Sequence, residues 1–123
     1  MKKSFIGLLV VIFLLGLFTS CIMVSIPNIE GSWTMTYTPD VGIPINYSCF
    51  ISSQTEEGNF ELMVNVVFYE GTINVNRAFD ARDYSGTILV KQLLGKLITL
   101  TQISGDYYYM GVKQGTFVMI KNM

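Results

Sequence analysis

The chain changes its hydrophobic period once, and the change divides it into two parts. From Phe5 to Phe18 the sequence FIGLLVVIFLLGLF is an unbroken apolar run without a charge. After Pro27 the pattern becomes an alternation. In GSWTMTYT (31–38), Trp33, Met35 and Tyr37 alternate with Ser32, Thr34, Thr36 and Thr38. A period of two sends successive side chains to opposite faces, so it predicts a strand with one buried face. The same period in IPINYSCFI (43–51) puts Ile43, Ile45, Tyr47, Cys49 and Ile51 on one face, with Pro44 marking an edge or a strand start. FELMVNVVFY (60–69) carries the clearest alternation. It predicts one strand with Phe60, Leu62, Val64, Val66 and Phe68 on one side.

A shorter strand is expected at GTINVN (71–76), with Ile73 and Val75 inward. RAFDARDY (77–84) reads as a charged connection, with one helical turn as the alternative. Four more strands are expected at 86–92, 95–103, 106–112 and 115–121, separated by short linkers such as LLG, SGD and KQG. Loops that short join antiparallel neighbours. No segment after Pro27 sustains a 3.6-residue period. The expected fold is therefore all-β: a small eight-stranded antiparallel meander that closes into a barrel, following an N-terminal signal or anchor helix. Closure removes exposed sheet edges. Strands this short predict an interior filled by side chains. Gly31, Gly71, Gly86 and Gly115 each precede a Ser or Thr and then an apolar residue, a pattern that reads as a turn glycine opening a strand.

The apolar front has Lys2 and Lys3 before it and Thr19, Ser20 and Cys21 after it. A positive n-region, a short apolar h-region and small residues at a cleavage point are the parts of a secretory signal. FTSC (18–21) resembles the lipobox of bacterial lipoproteins, although Phe18 stands where Leu is usual. The resemblance implies cleavage before Cys21 and acylation of that residue. The expected organisation is then a signal peptide at 1–20, a membrane-proximal tether at 21–29 and a barrel domain at 30–123. The alternative is an uncleaved anchor, because residues 5–26 are long enough to cross a bilayer of about 30 Å. In both cases the lysines stay inside and the remainder lies outside the cytoplasm. Two or three acyl chains hold a protein firmly where one does not. The eight residues from Ile22 to Ile29 reach about 25 Å at most, which keeps the barrel close to its membrane. By the same family resemblance, Ile22 rather than Asp after the cysteine favours the outer membrane.

Charge and composition narrow the partners. Removing Lys2 and Lys3 leaves six basic against nine acidic side chains, a net charge of −3. A mildly acidic surface does not suit nucleic acid or electrostatic docking on anionic lipid. There is no His, so the commonest general base is missing. Cys49 has no second cysteine to pair with once Cys21 is lipidated, and on its apolar face it reads as a small buried hydrophobe. The carboxylates of DARD (80–83) and Glu56–Glu57 lack the spacing of a calcium loop. No glycine-rich phosphate loop is present. These features predict no catalytic residues, no metal, no cofactor and no enzyme.

Two further resemblances concern the folded part. Gly31 and Trp33 in IEGSWTMTY resemble the Gly-x-Trp of the first lipocalin strand. That resemblance implies a Trp packed across one barrel end and either a small apolar ligand or a purely structural barrel. YSC (47–49) and SGDYY (104–108) resemble the membrane-bound inhibitors of C-type lysozyme. There Ser104, Gly105 and Tyr108 would match a loop that enters the lysozyme cleft, with Lys113 near the position of a Lys-Gly pair. In this chain Gln114 separates Lys113 from Gly115, and the second barrel cysteine is missing. In YYY (107–109), Tyr107 and Tyr109 face one way and Tyr108 the other. The expected protein is thus a lipid-anchored envelope module that binds a small apolar ligand or serves as structure, with lysozyme inhibition as the alternative. The lipid assignment has a direct test. Cys21→Ala is expected to abolish palmitate labelling and leave the precursor uncut; maturation at the same site in the variant would refute it.

Overall fold

Strand β1, Gly31–Pro39, is hydrogen-bonded on both sides, and this makes the sheet a barrel. A computed structural model describes residues 25–123. The other strands are β2 (Ile45–Ser52), β3 (Asn59–Val64), β4 (Val67–Ile73), β5 (Ala78–Ser85), β6 (Ile88–Thr99), β7 (Gln102–Tyr109) and β8 (Val112–Lys121). They run as an antiparallel meander, β1 to β8, that closes on itself. β1 pairs with β2 from Gly31↔Ile51 to Tyr37↔Ile45 and with β8 from Trp33↔Lys121 to Pro39↔Gly115. The expected all-β, eight-stranded antiparallel barrel is what the chain forms. The signal or anchor segment, the cleavage point and Cys21 lie outside the described residues.

Several strand boundaries differ from those expected, for one recurring reason. FELMVNVVFY is a hairpin: β3 and β4 are joined by Asn65 and Val66, with Val64 opposite Val67. Asn65 takes a positive φ of 55°, which Asn tolerates better than most residues. Because 64 and 67 share a face, the inward parity switches from even to odd at the turn. Phe60, Leu62 and Val64 are inward, Val66 is 85% exposed at the tip, Phe68 faces out and Tyr69 faces in. Residues 71–73 then continue β4, and Val75 is exposed in the following turn rather than inward. The charged segment 77–84 is mostly strand β5. It alternates Phe79 and Ala81 inward with Asp80 and Arg82 outward, and Arg82 pairs with Asp80 at 2.9 Å. The linkers LLG, SGD and KQG lie inside β6, β7 and β8.

Those linkers contain the glycines that were expected to mark turns, and the barrel uses them differently. Gly95 and Gly105 are cross-strand partners on β6 and β7. A Cβ on Gly95 would collide with the Ser104 carbonyl, and one on Gly105 with the Leu94 carbonyl. Gly115 lies equally close to the Thr38 carbonyl, and the Phe60 ring covers Gly71. Glycine in a strand thus marks the closest approach of backbones as the sheet curls. The turns are elsewhere. Met110 and Gly111, at φ 51° and 80°, make the tight β7–β8 turn, whose twist matches the strands when both residues have positive φ.

The inward faces form one apolar core. Trp33, Ile51, Leu62, Ile73, Phe79, Leu97, Ile103, Phe117 and Met119 are all nearly or completely buried. Phe79 stacks on Phe60 at 5.4 Å between ring centroids and lies 6.2 Å from Phe117. Gly105→Ala should lower stability by about 1–3 kcal/mol, the usual cost of overpacking. Gly86→Asn, where nothing lies within 4 Å and φ is 65°, should change it by less than about 0.5 kcal/mol. Urea unfolding of both variants measures the contrast.

Candidate functional site: a tyrosine-lined barrel mouth

The two barrel ends are built differently. One end carries the starts of β1, β3, β5 and β7, and residues 25–30 fold against it. Ile29 is fully buried there and Ile26 packs on the core. Gln54 holds the segment by accepting from the Ile29 N–H at 2.8 Å and donating to the Pro27 carbonyl at 2.8 Å. Trp33 is buried at this end, where its Nε1 donates to the Ile29 carbonyl at 2.9 Å and the Lys121 ammonium lies 5.9 Å from the ring centre. Gly31 stands beside it, where a Cβ would come within 3.1 Å of Lys121 Cε. The leading segment therefore plugs this end.

The opposite end is open. It holds a cavity of about 200 Å³ lined by Tyr37, Tyr47, Tyr69 and Tyr107. Met35, Val64, Val67 and Leu93 form its apolar wall, and Asn65 and Lys91 complete it. The geometry follows from strand register. Tyr37 is two residues before the end of β1, Tyr47 is the third residue of β2, Tyr69 the third residue of β4 and Tyr107 two residues before the end of β7, so four separate strands deliver tyrosines to the same level. Tyr37 and Tyr107 meet edge to face, with centroids 5.2 Å apart and planes at 80°. The wall is lowest at Asn65–Val66. β3 pairs with β2 only over Glu61–Val64, and β4 pairs with β5 only over Glu70–Ile73. Tyr69 and its neighbours toward the mouth have no strand partner on the β5 side, which leaves a notch beside the cavity.

The interior is mainly filled, as strands of this length predict, but the mouth is not. Tyr69 is only 5% exposed, and burial raises its hydroxyl pKa well above the ordinary value, helped by neighbouring Tyr107 and Asp83. Burial likewise raises Tyr107, with Tyr37 contributing, and raises Tyr37, with Asp40 contributing. These phenols hold their protons at neutral pH and are able to donate hydrogen bonds. Tyr37 donates to the Gln114 carbonyl at 3.3 Å. Cys49, buried just below the cavity on β2, is a free thiol whose pKa burial pushes up to about 11.

The residues singled out in the sequence lie apart from this cavity, apart from Tyr107. Ser104 and Gly105 are in the middle of β7, paired with Lys96 and Gly95 on one side, and do not form a loop. Tyr108 pairs with Lys113, and Lys113 reaches Asp106 at 3.5 Å on the outer wall. Sequence reasoning did not single out Tyr37, Tyr47, Tyr69 or Lys91 as a group. Their shared signal was the placement of tyrosines at strand ends, which becomes a site only once register sets those ends at one level. A second depression, on the outer wall across β3 to β5, is lined by Glu61, Glu70, Asp80 and Arg82, and there Arg82 is already engaged by Asp80 and Tyr84. No family model matches the chain, and neither a curated protein nor a solved structure matches it.

The buried thiol and phenols make stability pH-dependent. The unfolded thiol loses its proton near pH 9, while the folded one keeps it to about 11. The unfolded state then binds fewer protons, so stability is full below pH 9 and falls as pH rises to 11, by about 2 kcal/mol from Cys49. Tyr69 adds to the loss above pH 10. Cys49→Ala should flatten the first part of this decline in urea titrations between pH 8 and 11.

Proposed function

We propose that the protein is an exported, lipid-anchored envelope module whose barrel binds a small, mainly apolar ligand in its tyrosine-lined mouth. The observation that carries the reading is the cavity itself, a lined space at one end of a barrel that is otherwise filled. Its volume of about 200 Å³ exceeds the roughly 150 Å³ of a cavity that holds benzene. It is smaller than the roughly 300–1,000 Å³ typical for drug-sized ligands. A molecule of one or two rings fits that range, whereas a long acyl chain does not. Four tyrosines offer flat apolar surface with a polar edge, which suits a compact ring.

The arrangement also suits an anchor at Cys21. The chain enters the barrel at the plugged end, so a lipid there turns the open mouth away from the membrane and toward solute. The lysozyme-inhibitor alternative draws no support from the geometry, because Ser104 and Gly105 lie in a strand and not in a loop that could enter a cleft.

Titration calorimetry on the full chain in phosphatidylcholine nanodiscs, with empty discs as blank, tests the reading. Indole and benzyl alcohol should bind with a stoichiometry of one. Val67→Trp, which fills the mouth, should reduce that binding at least about tenfold while circular dichroism stays that of the parent barrel. Absence of heat for every compact aromatic would refute the proposal.

A further inference from the structure

The hydroxyls of Tyr47, Tyr69 and Tyr107 and the Lys91 ammonium have a common feature: each offers a donor that no protein acceptor takes up among the described residues. Among the described residues, the hydroxyls of Tyr47, Tyr69 and Tyr107 make no hydrogen bond to protein, although all three line the cavity. Tyr69 is 5% exposed as a residue, and its hydroxyl, with no protein partner among the described residues, is not sealed off but remains accessible. Lys91, half-buried on the wall, is the one charged residue lining the space, and it forms no ion pair among the described residues. Asp83 is its partner across the β5–β6 ladder and stands at the same end, but it does not line the cavity. An ammonium carries three donors and no acceptor, and a phenol supplies one more donor each. Converging unpaired donors in a partly desolvated space select an acceptor group, and most strongly an ionised one. Met35, Val64, Val67 and Leu93 face the same space and suit an apolar body.

Resting on the binding reading above, we infer that the ligand is a compact aromatic monocarboxylate of one or two rings. Its carboxylate is held by Lys91 and the free tyrosine hydroxyls, and its ring lies against the apolar wall. The volume limits the body to about one or two rings, and the single cation limits the charge to one. Binding requires no covalent step.

The test compares phenylacetate with its neutral isostere phenylacetamide by calorimetry on the full chain in phosphatidylcholine nanodiscs, with phenethylamine as the cationic arm. Phenylacetate should bind at least about tenfold tighter than phenylacetamide, as expected for hydrogen bonds to a charged group. Lys91→Met should bring that ratio close to one while leaving phenylacetamide unchanged. Tyr69→Phe should weaken phenylacetate about two- to tenfold. Lys96→Met, on the outer wall, should leave the ratio as it is. Equal binding of acid and amide, a ratio that survives Lys91→Met, or a preference for the amine would overturn the inference and leave the binding reading standing. No binding by any of the three would overturn both.

Discussion

Pairing of β1 with β8 is the contact on which the molecule depends. Seven register positions join each side of β1 to a neighbour, so the first and last strands, far apart in sequence, become adjacent. Without that seam the meander would present two long strand edges, each a row of unpaired backbone donors and acceptors. With it, every inward side chain faces another, and Trp33, Phe79, Phe117 and Met119 lose their contact with water together. Burial of that apolar surface drives the fold, and the backbone hydrogen bonds fix its direction.

Closure with short strands has a steric cost, and glycine meets it. Where β6 crosses β7, and again where β8 meets β1, the backbones approach too closely for a Cβ. Gly95, Gly105 and Gly115 occupy those places, while Gly71 leaves room for the Phe60 ring. The curl that these residues permit also brings the ends of β1, β2, β4 and β7 to one level. The tyrosine ring is thus a consequence of how tightly the sheet bends.

Asymmetry between the barrel ends connects fold to function. Residues 25–30 supply Ile29 and two hydrogen bonds with Gln54 to close one end. Among the described residues nothing comparable covers the other, where the β3–β4 hairpin stops short and leaves a notch. The proposed anchor ahead of the plug, with the cavity at the opposite end, would suit a tethered receptor of small solutes. The hydroxyls and the Lys91 ammonium, without protein partners among the described residues, then become a statement about chemistry, because unused donors are costly to keep partly buried without a ligand or water.

Much of the fold was legible in the residues themselves. The alternation in GSWTMTYT and in IPINYSCFI placed two strands within about two residues of their bounds and put Trp33, Met35, Cys49 and Ile51 inward. Closure followed from the need to hide edges, whereas the count of eight is reached because two differences offset: the expected connection 77–84 is strand β5, and 86–92 and the start of 95–103 form the single strand β6. What misled was local chemistry with two meanings. Gly reads as a turn residue, yet Gly95, Gly105 and Gly115 sit in strands, and the turn at Asn65–Val66 hid within an unbroken apolar alternation. The charges of RAFDARDY suggested a loop, though only its outward face is charged. The site was less legible still, because Tyr37, Tyr47, Tyr69, Tyr107 and Lys91 are scattered over 71 positions (37 to 107). Sequence by itself determined the class of structure, since period and composition act locally along the chain. Tertiary structure alone decided the register, the plugged and open ends and the cavity, because these depend on which distant strands meet and how closely their backbones can approach.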